Sequence, residues 1–297
     1  MQPESEQVVM DPETVSVILA CRDAEQHLAA QLLALAAQDY PLPWELVVSD
    51  NGSTDGTLEV VEQHCSLFQS VRVIDSSGRT GPAAARNAGV RAARGRRLVF
   101  CDADDVVAPG WLTAMSEGLD AHPFVAARLE HHRLNEAWSV SFRNPQTGLL
   151  QTEPPFLPYT FTASMGVRRE IHDAVGGFDE RLTTCEDRDY CYRVQLTGAR
   201  LRLAPEAVVH YRHRTSARDI YRQSRAYGIG NVQMYSAYRQ YGLGRPPLGQ
   251  AVLSWLATPV KLLPALTSRR RLAVFAARTG WRVGRLQGSV RYRVWAL

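Results

Sequence analysis

The stretch RRLVFCDADD, residues 96–105, joins a short apolar run to three closely spaced carboxylates. The apolar run predicts a buried strand, because strands covered on both faces read as continuous apolar runs. Asp102, Asp104 and Asp105 follow where this strand ends, and like charges this close repel one another. Mg²⁺ takes oxygen ligands and bridges carboxylates to substrate phosphates, so the stretch favours a divalent-cation site. An acidic turn that caps the helix beginning near Trp111 is the alternative.

Strands and helices alternate on both sides of this stretch. Apolar runs at 14–21, 45–50 and 71–75 predict three further strands. The segment 81–95 has a proline near its start and a glycine at its end, which is typical of a helix. The alternation predicts an α/β fold with a mostly parallel sheet and helices on both faces. In such a sheet, ligands bind at the carboxyl ends of the strands.

The second half of this region has a less regular pattern. Residues 121–160 predict short strands and loops, with a proline-rich run near their end. The segment 162–180 predicts a strand, a helix and a glycine stop. A helix is expected at 186–198, and a strand followed by a histidine-containing segment is expected at 200–214.

The charge of the chain is divided unevenly. From Tyr211 onward the sequence holds sixteen of the 34 Lys and Arg residues but one of the 30 acidic residues, Asp219. That part carries a net charge of +15, whereas the rest carries −11. The division predicts an acidic working domain and a basic tail that meets an anionic surface. The apolar stretch 246–260 is too short to cross a bilayer. It could lie in a membrane interface with Trp255 as an anchor, and a tail that only packs on the catalytic domain is the alternative.

Composition also indicates a compartment. Residues 1–13 are polar and acidic, so they predict a disordered segment and lack the pattern of a signal peptide. The five cysteines show no metal-ligand spacing, and we expect them to be reduced and structural. These features favour the cytoplasm, with the basic tail allowing a peripheral place on the inner face of the membrane.

Five motifs stand in a fixed order: VSVILACRDA, VVSDNGSTDGT, GPAAARNAG, FCDADD, and GGFDE followed by CEDRDYCYRVQLTG. Together they make the chain resemble glycosyltransferase family 2, whose members have the GT-A fold and transfer sugars from nucleotide diphosphates with inversion. The resemblance covers roughly residues 14–213. It implies a catalytic domain at 14–214, with nucleotide-sugar binding at about 14–120 and the acceptor side at about 121–214. A basic helical region at 215–297 follows.

The resemblance implies a set of nucleotide-binding residues. Ala20, Cys21 and Asp23 match the loop that lines the base and ribose, although the family often has Asn in place of Asp23. Asp50 matches the residue that hydrogen-bonds the nucleobase, and Arg86 matches a position that faces the nucleotide. A turn-capping residue is the alternative for Asp50, and a solvated helix residue is the alternative for Arg86.

The resemblance also implies a metal site that holds Mn²⁺ or Mg²⁺. Asp102 and Asp104 match the family's acidic motif, the first nearer the ribose and the second on the metal. His210 matches a histidine found near the metal or the diphosphate, and His213 competes for that position.

Asp187 matches the catalytic base of the family. Such a carboxylate must lie within hydrogen-bond reach of the acceptor hydroxyl to take its proton. At the start of a helix, we expect the helix dipole to keep Asp187 ionised. Glu186 and Asp189 are the alternatives for this role. The motif QxxRW of processive members is absent after Asp187, so transfer of a single sugar is expected.

The sequence therefore predicts a metal-dependent inverting glycosyltransferase that moves one sugar to a hydroxyl acceptor, which could be a glycan, a lipid-linked compound or a small molecule. A UDP-sugar is the expected donor, with GDP- and dTDP-sugars as alternatives. A sugar-nucleotide pyrophosphorylase is a rival function. A resemblance to those enzymes would need a glycine-rich N-terminal loop, and this chain has CRDAEQ at 21–26 instead. A nucleic-acid binder is the other rival, since Arg and Tyr interleave at 212–241. A nucleic-acid-binding function would leave the acidic metal site unexplained, so no nucleic-acid partner is expected.

Overall fold

The computed structural model describes residues 11–143, 150–152, 156–244 and 265–294. Its strands are β1 (Asp11–Cys21), β2 (Trp44–Asp50), β3 (Val71–Asp75), β4 (Gly95–Asp102), β5 (Val106–Val107), β6 (Phe124–Glu130), β7 (Gln151–Thr152), β8 (Pro158–Tyr159), β9 (Met165–Arg168) and β10 (Arg202–His210). Its α-helices are α1 (Glu25–Ala36), α2 (Thr57–His64), α3 (Pro82–Ala92), α4 (Trp111–Ala121), α5 (Ala137–Arg143), α6 (Arg169–Ala174), α7 (Glu186–Leu196), α8 (Ala217–Tyr238) and α9 (Arg269–Tyr292).

The described residues form two compact units. The first unit contains residues 11–130, 150 and 159–211. The second unit contains residues 131–143, 151–152, 156–158, 212–244 and 265–294. The assignment of 14–214 as the catalytic domain stays a prediction.

The first unit is built on an eight-stranded sheet in the order β3-β2-β1-β4-β9-β6-β10-β5. The strands β3, β2, β1 and β4 are parallel to one another, and so are β6 and β10. β9 runs antiparallel to both of its neighbours, and the short edge strand β5 runs antiparallel to β10. The expected mostly parallel sheet is therefore confirmed.

Both faces of this sheet are covered, because successive side chains of a strand point to opposite faces. Val15, Val17 and Leu19 of β1 pack with residues of α1, α2 and α4. Ile18 of the same strand packs on the other face with residues of α3 and α7. All four side chains have no exposed surface. This double burial explains why β1 reads as an apolar run without polar gaps.

The regular elements were well predicted, and the exceptions are local. The expected strands at 14–21, 45–50, 71–75 and within 96–105 are present, although β1 begins at Asp11. The region 121–160 contains the helix α5, which its pattern does not predict. Residues 1–10 of the expected disordered segment, and the apolar stretch 246–260, lie outside the described residues.

The second unit contains a pair of long helices in close contact. A side chain placed at Gly280, Gly284 or Gly288 of α9 would collide with α8. The added side chain would meet the backbone oxygen of Tyr221 at Gly280 and the backbone oxygen of Arg225 at Gly284. At Gly288 it would meet the side chain of Val232. Residue numbers rise together along both helices, so α8 and α9 run parallel. None of the described helices combines the length and hydropathy needed to span a bilayer.

Candidate functional site

Strand register brings the sequence-predicted residues to one edge of the sheet. In the β1–β2 pairing, Cys21 lies opposite Asp50, and in the β1–β4 pairing Ala20 lies opposite Asp102. The Cys21 thiol is buried, 3.8 Å from Asp50 Oδ1 and 3.7 Å from the Ser49 carbonyl oxygen. Burial, with the negative charge of Asp50, raises the pKa of this thiol to about 12, so Cys21 stays protonated. All five cysteines are free, as predicted.

Asp50 organises the turn that follows β2. Its Oδ2 accepts backbone hydrogen bonds from Gly52 and Ser53, each 3.1 Å long, and its Oδ1 accepts one from the Ser53 hydroxyl at 2.5 Å. The turn-capping alternative is thus present in the structure. With the Cys21 thiol as a second donor to Oδ1, two donors surround each oxygen of the Asp50 carboxylate. Its contact with a nucleobase stays a prediction.

Asp23 joins the loop after β1 to the same turn. Its Oδ1 accepts from the Thr54 backbone N–H at 2.8 Å and from the Thr54 hydroxyl at 3.2 Å, while its own N–H donates to Ser53 Oγ at 3.0 Å. The residue has a φ of 48°, in the left-handed region that Asp and Asn tolerate better than most residues. Cys21 and Asp23 therefore belong to one hydrogen-bonded rim with Asp50, and Ala20 precedes Cys21 in β1.

Three carboxylates gather beyond the end of β4. One oxygen atom from each of Asp102, Asp104 and Asp105 lies within 4.8 Å of the others. Asp105 is buried, whereas Asp102 and Asp104 are half-buried. This donor set of hard, anionic oxygens fits Mg²⁺ or Mn²⁺. His210 is not part of the group, and its Nδ1 lies 2.8 Å from Glu130 Oε2, so its role as a ligand stays a prediction.

Arg86 lies between the carboxylate cluster and α7. Its guanidinium is buried, with Nη2 2.9 Å from Asp102 Oδ1 and Nη1 2.9 Å from Glu186 Oε1. The alternative of a solvated helix residue is wrong, because Arg86 is 5% exposed. Its two carboxylate partners raise the pKa of Arg86 against the opposing effect of burial, so it is cationic at all physiological pH values. The guanidinium of Arg86 thereby binds the carboxylates of both Asp102 and Glu186.

Glu186 and Asp187 begin α7 in different environments. Glu186 is held by Arg86, whereas Asp187 is half-buried and its Oδ1 accepts from the Arg188 backbone N–H at 2.7 Å. Burial, followed by the charge of Glu186, raises the pKa of Asp187 from 3.8 to about 7. These two effects oppose the helix dipole that was expected to keep Asp187 ionised. A carboxyl group with a pKa near neutrality is well matched to general-base work.

His213, the competitor of His210, belongs to the second unit. Its Nε2 lies 2.9 Å from His131 Nδ1, and its Nδ1 lies 2.9 Å from the Ser139 hydroxyl. All three side chains are buried. The two histidines share a hydrogen bond that keeps at least one ring neutral.

Sequence reasoning missed two features of the site. It did not foresee the ion pair of Arg86 with Glu186, and it gave Asp105 no role beyond the acidic cluster. A signal for the first exists in the sequence. Arg86 stands among small residues in GPAAARNAG, and a large cation in such a buried helix face needs anionic partners from elsewhere.

Comparisons with known proteins agree with this architecture. A model of the family described as Glycosyl transferase family 2 matches residues 16–176, and one described as Glycosyl transferase family group 2 matches residues 97–282. Pre-mycofactocin glycosyltransferase of Mycobacterium tuberculosis is 30% identical over 259 residues, covering 81% of this chain and 52% of the relative. The chain thus spans about half the length of that relative. Glycosyltransferase AglE of Haloferax volcanii is 26% identical over 228 residues, 74% of each chain.

Two groups of solved structures share the fold. TarS 1-349 of S. aureus in complex with UDP has a TM-score of 0.54 and 21% identity, with 94% of this chain and 91% of that chain covered. The mannosyltransferase PcManGT of Pyrobaculum calidifontis, in complex with GDP-Man and Mn²⁺, has a TM-score of 0.60 and 20% identity, with 96% and 79% covered. The expected GT-A fold is confirmed by this likeness.

Proposed function

Because this chain belongs to glycosyltransferase family 2, we propose that it transfers one sugar from a nucleotide-diphosphate sugar to a hydroxyl acceptor, with inversion and with a divalent cation. The observation that carries the proposal is the grouping of Asp102, Asp104 and Asp105 at the carboxyl edge of the sheet. Three carboxylates within 4.8 Å of one another are stabilised by a cation that also binds phosphate oxygens.

Asp102 and Asp104, with Asp105 beside them, would hold Mn²⁺ or Mg²⁺. Such an ion supplies Lewis-acid stabilisation of the charge that develops on a nucleotide diphosphate as its sugar departs. Arg86 keeps Asp102 in place through their 2.9 Å ion pair. Ala20, Cys21, Asp23 and Asp50, on the neighbouring strand ends, would line the base and ribose.

Asp187 would act as the base. It is half-buried at the start of α7, and its raised pKa of about 7 lets it accept a proton from a hydroxyl group near neutral pH. An inverting transfer needs one such base, because the acceptor oxygen displaces the nucleotide directly from the opposite face of the sugar. Glu186 is less suited to this task, since Arg86 occupies its carboxylate.

A UDP-sugar is the first donor to test, with GDP- and dTDP-sugars next. TarS was crystallised with UDP and with UDP-GlcNAc, and PcManGT was crystallised with GDP-Man and Mn²⁺. The lack of a QxxRW motif after Asp187 supports transfer of a single sugar. The positive charge of region 215–297 supports a peripheral position at an anionic membrane surface, and no nucleic-acid partner is proposed, because the acidic site would then be unexplained.

Thermal unfolding in the presence of candidate ligands tests the proposal. UDP, GDP, dTDP and their sugars are each added with Mn²⁺, and each sample is repeated with EDTA. A ligand at 100 times its dissociation constant stabilises the folded protein by about 2.7 kcal/mol, which raises the midpoint measurably. We expect one nucleotide class to do so only with the metal present. If no nucleotide raises the midpoint with Mn²⁺, the proposed donor site is wrong. Inversion is then tested by NMR of the anomeric proton of the product.

A further inference from the structure

The parallel packing of α8 and α9 brings two helix amino termini to the same end of the second unit. Ile220, in the first turn of α8, packs with Ala273 and Ala276 near the start of α9. Each helix amino terminus carries a partial positive charge of about half an elementary charge. Ser216 and Ser268 cap these termini through their hydroxyl groups, so neither cap adds negative charge.

Arginines add to the positive charge at this end. Arg218 and Arg222 are exposed on the first turns of α8, and Arg269, Arg270 and Arg271 are exposed on the first turn of α9. The only acidic residue in the sequence from Tyr211 onward is Asp219, which contacts Arg222 at 3.9 Å. Cations at helix amino termini are electrostatically unfavourable, so folding alone does not account for their position here.

An apolar side chain stands beside these arginines. Leu266, which precedes the first turn of α9 by three residues, is 65% exposed. Arginines next to an exposed leucine match a bilayer interface, where the apolar group enters the acyl boundary and the cations meet the headgroups. Single-stranded nucleic acid would instead stack its bases on exposed aromatic rings. In the part of the chain that the structure describes, the exposed Phe, Tyr or Trp ring of this unit is Tyr241, beyond the opposite end of α8.

We propose that the amino-terminal end of the α8–α9 pair, formed by Arg218, Arg222, Arg269–Arg271 and Leu266, is the surface that binds an anionic lipid bilayer. It deepens the membrane part of the proposed function by naming the side chains that make the contact. Binding is measured without turnover, so its failure and a failure of sugar transfer are distinguishable. The contact is electrostatic in origin, and added salt weakens it.

The test compares two triple variants with the same change in net charge. The amino-end variant is Arg218→Gln, Arg269→Gln and Arg270→Gln, and the control variant is Arg239→Gln, Arg278→Gln and Arg291→Gln, all of them exposed arginines. Co-sedimentation uses vesicles of phosphatidylcholine with and without 30% phosphatidylglycerol, a composition chosen on the order of natural anionic contents. Each basic residue near an anionic surface strengthens binding by about five-fold, so the amino-end variant should bind about 100-fold more weakly. The control should stay within about ten-fold of the unchanged protein.

Several results would overturn this proposal. They are equal weakening by both triple variants, equal binding to neutral and anionic vesicles, and no binding of the unchanged protein to either. Fluorescence anisotropy with a labelled single-stranded oligonucleotide tests whether the same surface binds nucleic acid. Tight oligonucleotide binding that only the amino-end variant loses, without vesicle binding, would assign the surface to nucleic acid instead. Loss of vesicle binding between about 0.1 M and 0.5 M salt is expected for the unchanged protein, and no folding defect of a variant can affect that measurement.

Discussion

Arg86 Nη1 lies 2.9 Å from Glu186 Oε1, although the two residues are 100 positions apart in the chain. The other terminal nitrogen of Arg86 binds Asp102, at the end of β4. One buried guanidinium therefore connects the carboxylate cluster to the helix that carries Asp187. Arg is suited to this position because its planar group donates in two directions at once, which the ammonium of Lys does less well.

The first prediction concerns this connection. Arg86→Ala leaves Asp102 and Glu186 without their common cation, and breaking a buried ion pair in this way costs about 3–5 kcal/mol of folding stability. Arg86→Lys keeps the charge but cannot reproduce both bonds, so it should unfold at a lower urea concentration than the unchanged protein and transfer sugar more slowly. Urea denaturation and a transfer assay measure the two effects.

Arg91 on the same helix provides the control. Its side chain is 69% exposed, and its Nη1 lies 3.8 Å from Glu180 Oε1. Surface substitutions of this kind usually change stability by less than about 0.5 kcal/mol. If Arg86→Ala and Arg91→Ala lower folding stability by the same amount, the ion pairs of Arg86 with Asp102 and Glu186 do not contribute to that stability.

Much of the sheet could be read from the sequence, because a strand buried on both faces leaves a local apolar pattern. The runs at 14–21, 45–50 and 71–75 are examples. The helix α5 left no such pattern. Its Trp138 and Phe142 pack against Ile220, Ala273 and Ala276, which lie far along the chain. The burial of its apolar face therefore depends on contacts that a local sequence pattern does not contain. The antiparallel insertion of β9 between β4 and β6 is likewise a non-local pairing.

The site shows the same limit. Asp50 and the acidic residues after β4 were predicted as site residues from the family resemblance, and the parallel strands bring them to one edge of the sheet. The partner of Arg86 and the environment of Asp187 were not. Both depend on which groups are buried together, and the pKa of Asp187 rises because burial and the charge of Glu186 disfavour its ionised form. A one-dimensional motif contains no information on that balance.

The second prediction concerns the metal. Asp104→Ala should abolish most of the Mn²⁺-dependent affinity for the donor nucleotide, because it removes an oxygen atom that we propose as a direct ligand of the metal. The loss should exceed the roughly 10–100-fold that removing an outer-shell partner costs. Titration calorimetry with the nucleotide, with and without Mn²⁺, measures it. Asp39→Ala is the control, since Asp39 is an exposed residue of the loop between α1 and β2, at the opposite edge of the sheet. Unchanged metal-dependent affinity would remove Asp104 from the site.

The third prediction concerns the contact between α8 and α9. A methyl group at Gly284 would overlap the backbone oxygen of Arg225, so Gly284→Ala forces the helices apart. Overpacking of this kind typically costs about 1–3 kcal/mol, which urea denaturation detects. Gly78→Ala serves as the control, because a side chain there meets nothing within 4 Å. If both variants unfold at the same urea concentration, the close approach of the helices is not required.

The fourth prediction concerns pH and Asp187. Its folded-state pKa of about 7 lies above its ordinary value of 3.8, so between these values the folded protein holds the extra proton. The contribution of Asp187 to folding stability, measured as the difference between the unchanged protein and Asp187→Asn, should therefore fall as the pH rises from about 4 to about 7, and then level off. A base works only when ionised, so the transfer rate should instead rise through pH 7 and reach a plateau. Denaturation and saturating transfer rates across this range measure the two opposite trends.

Two variants separate Asp187 from its neighbour. Asp187→Asn cannot accept the acceptor's proton, so transfer should fall by about 10²–10⁴-fold if Asp187 is the base. Donor affinity should stay nearly unchanged, because the proposed base acts on the acceptor and not on the nucleotide. Glu186→Gln still offers an oxygen to Arg86 but removes the negative charge that helps to raise the pKa of Asp187. It should keep most of the activity and shift the midpoint of the rate profile to lower pH. An inactive Glu186→Gln beside an active Asp187→Asn would make Glu186 the base, and two active variants would place the base elsewhere.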